Sequence, residues 1–116
     1  MARVIVAGSR TFTDQSRLDE ILTNLDIEFG IETIVCGEAK GADLMGKAWG
    51  VSNRKLIHSF PAQWDRYGRG AGFKRNIEMS RNADMLVAFW DNKSKGTKHM
   101  IDTALAEDLV VFVEYF

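Results

Sequence analysis

A β-like apolar run passes directly into a glycine-bearing loop in Arg3-Val4-Ile5-Val6-Ala7-Gly8-Ser9-Arg10. The same order recurs where residues 33–36 lead into Gly37-Glu38-Ala39-Lys40-Gly41-Ala42-Asp43 and where residues 85–89 precede Ser94-Lys95-Gly96-Thr97. A helix-like stretch follows each of these loops. Because the carboxyl ends of parallel strands share one edge of a sheet, the loops are predicted to point backbone N–H groups into a common crevice. The sequence therefore favours an anion as ligand, above all a phosphate.

Short β-branched runs alternate with longer amphipathic segments, a pattern typical of βα units that close a parallel sheet. The second intervening helix is expected to cover the sheet with Leu44, Ala48 and Val51, which recur at helical spacing. Residues 60–72 hold the only proline together with Trp64, and they are interpreted as a long functional loop. We predict one α/β domain over residues 1–116 with a mainly parallel sheet of five strands, near residues 3–7, 33–36, 55–59, 85–89 and 109–114.

Composition narrows the class of protein. A net charge of −1 gives no overall field that would attract nucleic acid or an anionic membrane. The single Cys36 lies in an apolar run and cannot form an internal disulfide, which indicates a reducing cytoplasm. No apolar stretch approaches the ~20 residues of a membrane span, so we expect a soluble protein without a membrane partner. His58 and His99 have no second ligand at metal-binding spacing, so no metal site is expected.

The first two loops combine groups suited to a nucleotide, and each has a plainer alternative. In Gly8-Ser9-Arg10 the glycine allows a tight turn and the arginine offers a planar fork for phosphate; the alternative is a simple turn beside a solvated arginine. Gly37 and Gly41 permit close backbone approach. Glu38 would repel phosphate, so we assign it to a ribose. Asp43, at the start of a helix, taken alone indicates a helix cap.

The third glycine loop, a basic residue and three aromatic residues are further candidates for contact with a nucleotide. Ser94-Lys95-Gly96-Thr97 opens a helix whose positive end could hold an anion, and an ordinary cap by Ser94 or Thr97 is the alternative. Arg75 is expected to reach the same crevice, although it could equally be one more solvated basic residue. Trp64, Tyr67 and Trp90 could stack on a base.

These motifs carry a resemblance to the SLOG superfamily, which unites the DNA-processing protein DprA/Smf with the LOG nucleotide phosphoribohydrolases. The chain most resembles small Rossmann-like proteins of bacteria and phages that share GSR, GxAxGAD, RN and SxGT motifs. The resemblance implies a Rossmann-like three-layer sandwich in the strand order 3-2-1-4-5. It also implies a homo-oligomer, paired through apolar faces such as those around Met79 and Met100, unless both residues belong to the core. The predicted ligand-binding residues are Gly8, Ser9, Arg10, Thr11, Gly37, Glu38, Ala39, Lys40, Gly41, Asp43, Trp64, Arg75, Asn76, Trp90, Ser94, Lys95, Gly96 and Thr97.

The comparison with LOG enzymes bears on catalysis. Their motif PGGxGTxxE ends in a glutamate that serves hydrolysis of the N-glycosidic bond, and Arg75 matches their catalytic arginine. The glutamate position here is Met100, which cannot accept a proton, and Asp102 lies roughly 200° around the helix from it. Hydrolysis is therefore not expected, unless Glu38 or Asp91 has taken over the carboxylate role.

Three functions follow from the sequence. The favoured one is binding or sequestration of a nucleotide or nucleotide-derived signalling ligand, with no cofactor and no turnover. The first alternative is a LOG-like nucleoside-monophosphate phosphoribohydrolase. The second is DprA-like binding of single-stranded DNA, which the near-neutral charge disfavours although basic residues crowd the second half of the chain.

Overall fold

The sheet of the computed structural model, which describes all 116 residues, has the strand order β3-β2-β1-β4-β5 with every pair parallel. The α/β class and the predicted order are confirmed, and the sheet is entirely parallel rather than mainly so. The strands are β1 (Ala2–Gly8), β2 (Ile31–Cys36), β3 (Leu56–Ser59), β4 (Met85–Trp90) and β5 (Val110–Tyr115). The helices are α1 (Gln15–Phe29), α2 (Ala42–Ser52), α3 (Trp64–Tyr67), α4 (Ala71–Ser80) and α5 (Lys95–Ala106).

Helices cover both faces of the sheet, so the central strands are buried on both sides and appear in sequence as continuous apolar runs. Along β1, Val4 and Val6 face the core beneath α1 and α2, while Ile5 and Ala7 face the core beneath α4 and α5. This alternation is the period-2 geometry of a strand. The result is the predicted three-layer sandwich, with all strands ending at one edge.

The apolar residues predicted to bury α2 lie on its outer side. Val51 is 61% exposed, Leu44 is 41% exposed and Ala48 is also exposed, so the predicted buried face is wrong. The helix instead presents small residues to the sheet. A Cβ on Gly46 would lie 2.5 Å from the Cβ of Val6, and one on Gly50 would lie 2.8 Å from the Ile34 side chain. The close approach of helix to strand excludes larger side chains there.

The segment 60–72 is not a long loop. It contains α3 and a 3₁₀ turn at Gly68–Gly70, and α4 begins directly at Ala71. The left-handed φ of 57° at Gly68 separates α3 from the turn, and this geometry favours glycine.

The pairing surface predicted around Met79 and Met100 is not present on the outside of the molecule. Met79 and Met100 are buried in the core between the sheet and helices α4 and α5, so they do not form an exposed pairing surface. None of the helices combines the length and the apolar character needed to cross a membrane.

Candidate ligand-binding crevice

Two adjoining hollows open at the carboxyl edge of the sheet. The inner hollow, a cavity of about 190 Å³, is lined by Ala7, Gly8, Arg10, Ala39, Asp43, Trp64, Arg69, Gly72, Phe73, Arg75, Asn76, Met79, Ser94, Gly96, Thr97 and Met100. The outer hollow, about 400 Å³, is lined by Arg10, Gly37, Glu38, Ala39, Lys40, Pro61, Ala62, Trp64 and Arg75. Since Arg10, Ala39, Trp64 and Arg75 belong to both, the hollows are parts of one crevice. The three glycine loops thus meet at one edge, as their positions after parallel strands require.

Most of the predicted ligand-binding residues line this crevice, and five do not: Ser9, Thr11, Gly41, Trp90 and Lys95. Gly41 has a left-handed φ of 86°, and a Cβ on it would lie 2.6 Å from the Ser9 carbonyl oxygen. It therefore shapes the contact between the first two loops. The indole Nε1 of Trp90 donates to the Ser94 carbonyl oxygen over 3.1 Å, and this bond holds the backbone of the third loop in place.

Asp43 is the most buried charged residue of the site, with 4% of its surface exposed. Burial raises the pKa of its carboxyl to about 6, against the charge of Arg75 and hydrogen bonds from the backbone N–H groups of Ala39, Gly8 and Gly37. The residue that precedes helix α2 is Gly41, so Asp43 does not occupy the N-cap position indicated by the sequence. Its carboxylate ties the first loop to the second.

Arg75 is held in place from two sides. Its Nη1 donates to the Gly37 carbonyl oxygen over 2.6 Å, and its Nε donates to Asn76 Oδ1 over 3.1 Å. Burial lowers the pKa of the Arg75 guanidinium, and the nearby charge of Arg10 acts in the same direction, while Asp43 opposes both. A Cβ on Gly37 would collide with this guanidinium and would lie 2.8 Å from Asp43 Oδ2. Only glycine at position 37 leaves room for the guanidinium of Arg75 that packs across it.

Asn76 joins α4 to the third loop. Its Nδ2 donates to the Gly96 carbonyl oxygen over 3.3 Å and lies 3.1 Å from Nδ1 of His99. Burial lowers the pKa of His99 and so favours the neutral ring, whose Nδ1 can accept from the amide nitrogen. The ring also stacks on Phe73, with 4.1 Å between the centroids. Asn76 thus connects Arg75 to the Gly96 backbone.

The carboxylate of Glu38 is engaged away from the inner hollow. Its Oε1 accepts from Lys47 Nζ over 2.7 Å and from Ser59 Oγ over 2.6 Å, and these hydrogen bonds lower the pKa of Glu38. Its backbone φ of 64° is in the left-handed region, which non-glycine residues seldom occupy. Glu38 contributes to the outer hollow as a partly neutralised group.

Asp91 stabilises the third loop. Its Oδ1 accepts from the backbone N–H groups of Lys93 and Ser94, each over 2.8 Å, and these bonds lower the pKa of Asp91. Ser9, which is buried, accepts from the Asp91 backbone N–H through its Oγ over 3.3 Å. Ser94 caps α5, since its Oγ accepts from the Thr97 N–H over 3.4 Å. The ordinary helix cap anticipated for this motif is therefore present, at the rim of the crevice.

Sequence reasoning missed part of the crevice wall. Met79 and Met100 form its apolar floor with Ala7, and Arg69 and Phe73 come from the segment around the start of α4. The position of Met100 was available from its spacing to the third loop. The position of Arg69 could not be predicted, because the helical turns of residues 64–70 have no periodic apolar pattern. Asp102, by contrast, lies outside the crevice and pairs with Lys98 over 2.7 Å.

Comparison with known proteins assigns the chain to a family. The family model described as YAcAr, the YspA, cpYpsA-related SLOG family, matches residues 2–67. The chain belongs to this SLOG family. It is also 35% identical, over 114 aligned residues, to the Gene 61 protein of Mycobacterium phage D29, and the alignment covers 90% of this chain and 89% of that protein. No solved structure matches the chain.

Membership of the SLOG family confirms the resemblance drawn from the motifs and suggests a nucleotide-related role. The matched residues include the first two glycine loops with Arg10, Asp43 and Trp64. Arg75, Asn76 and the third loop lie beyond the match, and it is the fold that brings them to the same crevice.

Proposed function

We propose that the protein binds a nucleotide or a nucleotide-derived small molecule in the inner hollow, with a phosphate between Arg10 and Arg75. The observation that carries this proposal is the fixed guanidinium of Arg75, held by the Gly37 carbonyl and Asn76 at the wall of an open hollow. It forms no ion pair with any carboxylate. A positioned arginine without a direct carboxylate partner is suited to bidentate contact with phosphate.

The opposite wall suits the nucleoside part of such a ligand. Trp64 is 55% exposed and lines both hollows, and Phe73 lies beside it in the inner hollow. Met79 and Met100 form an apolar floor below them. Aromatic faces of this kind stack on any nucleobase, so they supply affinity with little choice between bases.

Binding without turnover is supported by the state of the carboxylates. Glu38 and Asp91, the two groups that could replace the absent glutamate, have lowered pKa values and are bound by other residues. The glutamate position itself is Met100, a thioether with 1% of its surface exposed. Proton transfer in hydrolysis needs a carboxyl group that is free and has a suitable pKa.

One observation favours LOG-like hydrolysis as a second candidate. Asp43 lines the inner hollow, and its pKa of about 6 is in the range of a general acid or base. Its hydrogen bonds with three backbone N–H groups favour a structural role instead. If hydrolysis occurs, free base will accumulate from nucleoside monophosphates, and Asp43→Asn will abolish the accumulation.

Two glycine substitutions give a matched test of binding. A Cβ on Gly96 meets no atom within 4 Å, and the same holds for Gly70, which lies outside the crevice. Gly96→Leu should therefore fold normally and fill the space beside the phosphate, whereas Gly70→Leu should fold normally and change nothing. The ligand is first identified by native mass spectrometry of protein purified from cells, and its affinity is then measured by isothermal titration calorimetry.

We expect Gly96→Leu to weaken binding more than tenfold, since a side chain there excludes the ligand, and Gly70→Leu to bind like the natural protein. Arg10→Ala, which removes an exposed side chain with no hydrogen bond of its own, should weaken binding by about 1.5–3 kcal/mol. Equal affinities for the two leucine variants would contradict the placement of the ligand. Failure of every nucleotide to bind would end the proposal.

A further inference from the structure

Ion pairs are distributed unevenly over the molecule. Three of the six link residues at the amino edge of the sheet, opposite the crevice, and only one, between Lys47 and Glu38, involves a residue of the crevice wall. The amino-edge pairs are Arg3–Asp84 at 3.1 Å, Lys55–Asp26 at 2.9 Å and Arg81–Glu107 at 3.7 Å. At that edge three of the basic side chains are neutralised within the protein, and Arg54 is not.

The crevice shows the opposite arrangement. Arg10, Lys40, Arg69 and Arg75 line it, and none of the four forms an ion pair. In a chain whose net charge is −1, four cations without a direct ion pair on one concave surface create a local positive potential, which the charge of Asp43 offsets in part beside Arg75.

Two carboxylates, Glu38 and Asp43, line the same surface and offset part of the charge of the four cations. Glu38 already pairs with Lys47. Asp43 is buried below the wall and accepts hydrogen bonds from backbone N–H groups. With four cations and two carboxylates in its lining, the crevice keeps an excess of about two positive charges, which a ligand must balance with negative charge.

The four cations are also divided in space. Arg69 belongs to the inner hollow alone and Lys40 to the outer hollow alone, whereas Arg10 and Arg75 stand on the wall that both hollows share. A single phosphate in either hollow leaves the cation of the other without a partner. Two linked phosphates placed across the shared wall meet all four cations.

We infer that the ligand carries two linked phosphates, as a nucleoside diphosphate or a pyrophosphate-bridged nucleotide does, with one phosphate in each hollow. This inference rests on the proposed function, because it places the first phosphate between Arg10 and Arg75. Lys40, in the outer hollow, then contacts the second phosphate and favours ligands that carry one. A nucleic acid strand, which also carries several phosphates, is the competing ligand that the experiment must separate.

The test compares one phosphate with two in the natural protein, Lys40→Ala and Lys93→Ala. Lys93 is the matched control, since it is exposed, unpaired and in a loop at the same edge, but lies outside both hollows. Affinities for AMP, ADP, GMP and GDP are measured by isothermal titration calorimetry at fixed ionic strength. Inorganic phosphate and pyrophosphate are compared in parallel through the midpoint of thermal unfolding, which requires no choice of base.

We expect each diphosphate to bind at least tenfold more tightly than its monophosphate, and pyrophosphate to raise the unfolding midpoint more than phosphate does. Lys40→Ala should remove most of this difference, while Lys93→Ala preserves it. Equal binding of one and two phosphates, equal effects of the two lysine variants, or tighter binding of a short single-stranded oligonucleotide than of ADP would overturn the inference. If pyrophosphate binds and a nucleoside adds no affinity, the proposed function fails while the two-phosphate site stands.

Discussion

Asp43→Asn offers a direct measure of the forces that act on the buried carboxylate of the crevice. Burial, the largest influence, raises the pKa of Asp43 from its ordinary 3.8 to about 6, although Arg75 and three backbone N–H groups all favour the ionised form. The folded protein is thus predicted to hold a charge that would be more stable in water. Asparagine has nearly the same shape and carries no titrating group.

The size and sign of the effect follow from linkage. Between pH 3.8 and pH 6 the folded state binds more protons at Asp43 than the unfolded chain does, so stability falls as pH rises through this window. One unit of pKa corresponds to about 1.4 kcal/mol, so the full loss is about 3 kcal/mol, most of which falls between pH 4 and pH 7. Above about pH 7 the loss is constant.

The assay is urea unfolding of the natural protein and Asp43→Asn at several values between pH 4 and pH 8. The free energy of unfolding of the natural protein, minus that of the variant, should fall by about 2 kcal/mol from pH 4 to pH 7. Asp84→Asn is the control of opposite sign. A hydrogen bond from Arg3 lowers the pKa of Asp84, so its stabilisation is lost as pH falls. A flat difference for Asp43→Asn, or one that rises with pH, would show that Arg75 and the N–H groups outweigh burial.

Three further substitutions probe packing, stacking and the third loop. Gly46→Ala should lower the free energy of unfolding by about 1–3 kcal/mol in urea, because its Cβ would lie 2.5 Å from Val6; an unchanged value would contradict the close approach of α2 to β1. Trp64→Ala should leave stability within about 0.5 kcal/mol, since the side chain is 55% exposed, and weaken nucleotide binding by about 1–3 kcal/mol in calorimetry; unaltered affinity would remove the stacking role. Asp91→Ala should speed hydrogen exchange of the Ser94 amide, measured by NMR, because that N–H loses its 2.8 Å acceptor; unchanged exchange would mean that the loop is held by other contacts.

The strand order and the meeting of the loops could be predicted because their signals are local. A β-branched run such as Val4-Ile5-Val6 identifies a strand buried on both faces, and a glycine directly after it identifies a loop at the carboxyl edge. The resemblance to SLOG proteins supplied the order of the strands. Once the order is known, the convergence of the three loops follows from geometry alone.

The details that failed depend on contacts between distant residues. The buried face of α2 was assigned by hydropathy, which favours Leu44 over Gly46, whereas the distance between helix and sheet favours the glycine. Arg75 contacts the carbonyl of Gly37 from 38 residues away, and no local pattern indicates such a bond. The environment of Asp43 likewise depends in part on the backbone N–H of Gly8, which belongs to the first loop.

The bond between Asn76 and His99 makes the histidine ring a natural reporter of the crevice. Because the amide nitrogen points at Nδ1, the neutral ring carries its hydrogen on Nε2, and a reversal of the amide would force the other tautomer. The same amide accepts from Arg75 through its oxygen, so a ligand that draws the guanidinium away removes one of the hydrogen bonds that orient the amide towards the ring. Nitrogen NMR shifts of His99 would therefore register occupancy of a hollow that the ring itself does not touch.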